Sequence, residues 1–154
     1  MTILHKTFLA AVVVLTPALA AADTCPSFAN SGAELTLSSD DVWVPQSTDL
    51  IAGGDLDLSA CADVPGYGHV IENPDFTLQY DALTHGRALE FRVVGECDTV
   101  LLINSAIGEW HFNDDDDELN PRINLADAPS GQYDIWVGTL GEEYCGAALE
   151  IESF

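Results

Sequence analysis

The stretch Ala88-Leu89-Glu90-Phe91-Arg92-Val93-Val94 decides the fold class. Leu89, Phe91 and Val93 fall on one side of an extended chain while Glu90 and Arg92 fall on the other, the period of two expected of a half-buried strand. A second stretch, Gln132-Tyr133-Asp134-Ile135-Trp136-Val137, repeats the pattern with Tyr133, Ile135 and Val137 in the apolar phase and Asp134 and Trp136 on the opposite face. Between them, residues 99–103 are nearly all apolar, which predicts a central strand buried on both sides.

Working outward, further short strands are expected at 34–37, 41–44, 56–58, 76–80, 109–112 and 147–151. Turn residues punctuate them: Gly53-Gly54, Pro65-Gly66-Tyr67-Gly68, Asn73-Pro74, His85-Gly86, Asn120-Pro121 and Pro129-Ser130-Gly131. Nowhere does the apolar spacing follow i, i+3, i+4, i+7. Short strands with turns every 8 to 12 residues or so predict an all-β protein, an antiparallel β-sandwich of jelly-roll type. The better-defined core lies in the C-terminal half. Residues 27–65 carry a weaker pattern and are expected to supply edge strands.

The N-terminus reads as a secretory signal over residues 1–22. His5 and Lys6 precede an apolar run from Phe8 to Leu15, followed by Pro17 and small residues through Ala22. The run is short of the ~20 residues a membrane span needs, so export without membrane insertion is expected, to the periplasm or the medium. Cleavage after Ala20 or after Ala22 fits the small-x-small rule. Residues 23–154 then suffice for one domain.

Cys25, Cys61, Cys97 and Cys145 all fall in that part, an even number in an oxidising compartment, so the domain is expected to be disulfide-stapled. Three pairings are open. Cys25 with Cys61 and Cys97 with Cys145 is favoured because each closes one sequence-local half, at about 3 to 4 kcal/mol per loop in the chain-entropy model.

Charge narrows the partners. The chain carries 26 acidic residues against four basic ones, and its only lysine lies in the signal segment. The remaining cations are Arg87, Arg92 and Arg122. Such a field excludes nucleic acid and anionic lipid as partners and favours cations or cationic surfaces. The plainer reading is solubility in a salty exterior.

Residues 87–151 resemble the bacterial pre-peptidase C-terminal domain family. The resemblance is carried by residues 89–93, then 97–103, Trp110, the acidic loop 113–118 with Asn120-Pro121-Arg122-Ile123, and residues 131–139. It implies a small β-sandwich of the kind appended to secreted peptidases, whose relatives bind polymers such as collagen or polysaccharide, some with calcium. No peptidase accompanies the domain here, which departs from the family's usual setting.

Asn113, Asp114, Asp115, Asp116 and Asp117, followed by Glu118, form the densest local feature. Adjacent carboxylates repel by about 1 kcal/mol per close pair even in water, and Ca²⁺, a hard ion that takes oxygen ligands, would relieve this. The loop is therefore a candidate metal site with Ca²⁺ as its cofactor, Asp98 and Asp134 being weaker candidates to complete it. The alternative is a solvated charge run. Trp43, Trp110 and above all Trp136, opposite the apolar phase of its strand, are candidates for an aromatic ligand platform, against the alternative of core packing; Tyr67, in a loop between glycines, is a candidate ligand-surface residue, against that of a simple hydrophobic latch.

Nothing points to catalysis. H-E-x-x-H, G-x-S-x-G, S-x-x-K and phosphate-binding glycine loops are absent, and His69, His85 and His111 lack chelating spacing. The expected function is a non-catalytic binding module for an extracellular polymer or protein. Its alternatives are an acidic subunit docking a cationic partner, or a small secreted hydrolase.

Overall fold

A computed structural model describes residues 25–154; the expected signal segment, 1–22, lies outside the described residues. The strands are β1 (Ala33–Ser38), β2 (Gln46–Ala52), β3 (Leu56–Asp57), β4 (His69–Val70), β5 (Phe76–Asp81), β6 (Leu89–Gly95), β7 (Thr99–Asn104), β8 (Trp110–Asn113), β9 (Arg122–Leu125), β10 (Gly131–Thr139) and β11 (Cys145–Ser153). A single 3₁₀ turn, Leu58–Ala60, interrupts them, and no α-helix occurs among the described residues. In the first sheet β10 is central: it pairs with β5 and then β4 on one edge and with β7 on the other, with β1, β3 and β8 outermost. The second sheet runs β2-β11-β6-β9.

The two sheets close as a sandwich on the faces that alternation assigned. From β6 come Leu89, Phe91 and Val93, from β11 Leu149 and Ile151, and from β10 Tyr133, Ile135 and Val137, all in one buried cluster. All six residues of β7 are buried, as a central strand requires. The N-terminal strands do lie at edges: β1 and β3 in the first sheet, β2 in the second. One pair departs from the antiparallel expectation, since β1 runs parallel to β5 over six residues.

Residues 41–44 were expected to be a strand and are a turn instead. The Asp41 carboxylate accepts from the Ser38 N–H and hydroxyl at 2.8 and 2.6 Å, and Val42 N–H bonds back to Ser38 O at 3.2 Å. A short side chain that satisfies the backbone locally outcompetes a ladder. The strand is β2, just downstream, which pairs with β11 along its whole length.

A second apolar cluster lies on the outer face of the first sheet. Leu58, Val70, Val100, Leu102 and Trp136 are buried there, with Leu56, Val64, Trp110 and Phe112 packed against them. The chain from Leu58 to Gly68 lies over this face and is anchored by a disulfide from Cys61 to Cys25, while Cys97 is joined to Cys145. The pairing is the sequence-local one. The approach of β4 to β10 is close enough that a Cβ on Gly138 would sit 2.2 Å from His69 O, so only glycine fits there.

Where β10 changes partner from β5 to β4, Val137 N–H is left without a strand opposite it and donates to the Asp75 carboxylate at 2.7 Å. Burial pushes the Asp75 carboxyl up from 3.8 to about 7, against the lowering effect of that hydrogen bond. The folded state therefore binds a proton more tightly than the unfolded chain does. Its stabilising contribution is complete below the unfolded value of 3.8 and is lost as pH rises through about 7. Asp75→Asn keeps an acceptor for Val137 and cannot ionise. Urea unfolding is expected to show the variant more stable than the parent at about pH 8, with the difference shrinking towards about pH 4.

Candidate functional site

The acidic loop is a hairpin tip carrying a β8-to-β9 crossover between the sheets. Asp116 and Asp117 N–H donate to Asn120 O at 3.1 and 3.2 Å, and Asn120 N–H returns a bond to Asp117 O. Glu118 takes a left-handed backbone with φ 57° to make the turn. The loop is fixed to both sheets: Arg122 N–H donates to Asn113 Oδ1 and Gly95 N–H to Asn120 Oδ1, each at 2.9 Å.

Three of the five residues read as one cation shell have partners of their own. Asp114 accepts from the Tyr67 hydroxyl, Asp116 lies 3.1 Å from Arg122 Nε as an ion pair out of line for a hydrogen bond, and Asn113 is used by Arg122 N–H. Among the described residues no three His, Cys, Asp or Glu side chains are grouped to hold a metal ion. Asp134 is excluded from the loop altogether. It pairs with Asn104 at the far end of β7 from Asp98, is buried, and accepts from Thr77 Oγ1 at 2.7 Å and Gln132 Nε2 at 2.9 Å.

Asp98, by contrast, does face the loop. Partial burial raises its carboxyl above the usual value, and the fields of Asp115, Asp114 and Glu143 raise it further. The Tyr67 hydroxyl is likewise raised, first by donating to Asp114, then by burial and by the fields of Asp114, Asp115 and Asp98. The neighbouring carboxylates add to both shifts, after burial for Asp98 and after the hydrogen bond and burial for Tyr67.

Of the cations among the described residues, Arg87 and Arg92 are engaged away from the loop, while Arg122 pairs with Asp116 of the loop itself. Arg87 reaches Asp40 at 3.0 Å and lies 4.3 Å from the Trp43 ring centroid. On the outer face of the second sheet, Arg92 contacts Glu90, Glu150 and Glu152 at 3.0 to 3.4 Å, and Arg122 stands opposite it.

Aromatic rings line the acidic side of the molecule. Tyr67 packs on Phe112 with centroids 5.3 Å apart, Phe28 on Trp110 at 6.0 Å, and Trp110 on Trp136 at 5.4 Å. Gly66, at φ 103°, brings its backbone onto the Phe112 ring, where a Cβ would approach to 2.3 Å. Tyr67 is 46% exposed and Phe28 55%, so both reach solvent. Trp136 does not. At 0% exposure it is the largest fully buried side chain, and its Nε1–H donates to Glu72 O at 3.4 Å. The expectation that it presents a ligand surface is corrected by the covering segment, which seals the face that alternation left open. Phe28, Trp110 and Phe112 complete the surface. Trp110 was already a candidate from the sequence; Phe112 was signalled only by its period-two spacing from Trp110, and Phe28 by nothing.

No family model matches the chain, and no curated protein matches it. Among solved structures it is similar to Aeromonas hydrophila PliG, a periplasmic lysozyme inhibitor of g-type lysozyme. That likeness spans 80% of this chain and 100% of that one, at 12% identity and a TM-score of 0.38. No helix among the described residues is long and apolar enough to cross a membrane.

Burial separates the two aromatic candidates experimentally. Trp136→Ala is expected to cost about 3 to 5 kcal/mol in urea unfolding, and Tyr67→Ala no more than about 0.5 kcal/mol.

Proposed function

We propose that the protein is an exported, non-catalytic binding module that docks a cationic protein through the aromatic, acid-rimmed outer face of its first sheet. The observation that carries this is the charge asymmetry. Arg87 and Arg92 are paired away from the acidic loop and Arg122 is taken up by Asp116, while Asp98, Asp114 and Asp115 surround Tyr67 with no arginine paired to them among the described residues. Exposed aromatic rings ringed by one sign of charge combine hot-spot chemistry with steering of an oppositely charged partner. A protein surface suits the site better than a polymer. Sugar stacking uses a bare ring face, whereas Trp136 is buried and Tyr67, Phe112, Phe28 and Trp110 pack on one another.

Binding to a panel of basic secreted proteins, a g-type lysozyme among them, tests the reading by calorimetry at low and high salt. Affinity is expected to fall at least about tenfold between roughly 0.05 and 0.5 M salt. Tyr67→Ser and Asp115→Asn are each expected to weaken it further. Salt-independent binding of a neutral polysaccharide would instead favour the polymer.

Calcium stabilisation of the acidic loop is a second proposal, supported by the carboxylates of Asp115, Asp114 and Glu143, whose fields add to burial in raising Asp98. Thermal unfolding in millimolar Ca²⁺ should then show a midpoint above that in EDTA, with the gain lost in Asp115→Asn and Asp116→Asn. Equal midpoints in Ca²⁺ and Mg²⁺ at matched ionic strength would remove the proposal. Kinship with the pre-peptidase C-terminal domains is proposed on the order of sequence segments alone.

A further inference from the structure

Strand β8 pairs only with β7, and β9 only with β6, so each ends its sheet on the same side of the sandwich. Ser105 N–H donates to Glu109 O at 2.9 Å. By the alternation of an antiparallel ladder, 103–111 and 101–113 are then the bonded pairs, and the backbone N–H and C=O of Trp110 and Phe112 turn away from β7. The same count, started from Val93 N–H on Pro121 O at 3.1 Å, turns the backbone groups of Arg122 and Asn124 away from β6. Two free edges therefore meet along a seam. One end is stitched by Arg122 N–H on Asn113 Oδ1. The other opens into a cleft of 310 Å³ whose lining includes Tyr133, Ile107, Leu125 and His111, with Glu109 and Asp127 exposed beside them. No arginine or lysine lines it among the described residues.

We infer that the free edge of β8 accepts an extended basic segment of the docked partner as an added strand, one apolar side chain of which enters the cleft. This rests on the docking reading above. It adds that the segment is held by backbone hydrogen bonds to Trp110 and Phe112, on the strand that also carries the exposed aromatic face. An unpaired edge is a template for strand addition, main-chain bonds giving affinity and a pocket for alternate side chains giving selectivity. Charge selects the occupant. Lysine or arginine flanking the apolar residue would lie near Glu109 and Asp127, whereas a second copy of a chain of net charge −22 is repelled.

The probe is an end-blocked heptapeptide of alternating lysine and valine, added to the oxidised mature protein. Amide exchange followed by NMR is expected to slow about tenfold at Trp110 and Phe112. One of two twin peptides, N-methylated at the valines or at the lysines, should bind about tenfold more weakly. Ile107→Lys, at a position 64% exposed and so harmless to folding, should weaken binding similarly by placing a cation at the cleft. If the peptide binds while those two amides stay unprotected and both twins bind equally, strand addition is overturned and the docking reading stands. Protection that appears without peptide and grows with protein concentration gives the edge to a second copy and likewise overturns the inference. If neither the peptide nor any basic protein binds, the docking reading falls and the strand falls with it.

Discussion

The structure depends on burying both faces of one strand. From Tyr133 to Thr139 every residue of β10 is buried, with Tyr133, Ile135 and Val137 against the second sheet and Trp136 against a covering segment. A two-layer sandwich would leave Trp136 in water. Covering an indole of roughly 200 Å² is worth about 5 kcal/mol by area. That is comparable with the closure term of about 4 kcal/mol for the 36-residue Cys25–Cys61 loop. The disulfide and the tryptophan act together: one holds the segment over the sheet, the other supplies apolar surface for it to cover.

That third layer also shapes the proposed binding surface. Laying residues 58–68 over the sheet brings Tyr67 to Phe112 and to Asp114, and the N-terminal segment brings Phe28 to Trp110. The acidic loop, fixed to both sheets through Asn113 and Asn120, lends its field to this side of the molecule. Meanwhile the second sheet absorbs Arg92 and Arg122 into pairs with Glu90, Glu150, Glu152 and Asp116. An overall negative charge thereby becomes a directional one.

Reading the sequence located β5, β6, β7, β10 and β11 closely because their alternation or continuous apolarity mirrors burial directly. It missed β2, whose inward positions begin with Gln46 and Thr48 while Ile51 faces out, so the pattern is blurred where the strand is an edge. It misassigned 41–44 because Val42 and Val44 look like alternate positions of a strand, yet the Asp41 side chain closes a turn there. The two-residue β4 and the short β9 exist through pairing, with little pattern of their own.

At the site the division is sharper. The sequence by itself determined the all-β class, the local pairing of cysteines as the favoured one, the negative charge and the exposure of Tyr67 between glycines, because each follows from residue type and near-neighbour spacing. Tertiary structure alone decided that Trp136 is sealed, that Asp134 and the acidic loop are apart while Asp98 faces it, and that Arg122 is taken up by Asp116 while Arg87 and Arg92 pair away from the loop. Those outcomes turn on which strands meet and what lies over them. Contacts between residues tens of positions apart set both, and a period-two pattern carries no record of a third layer.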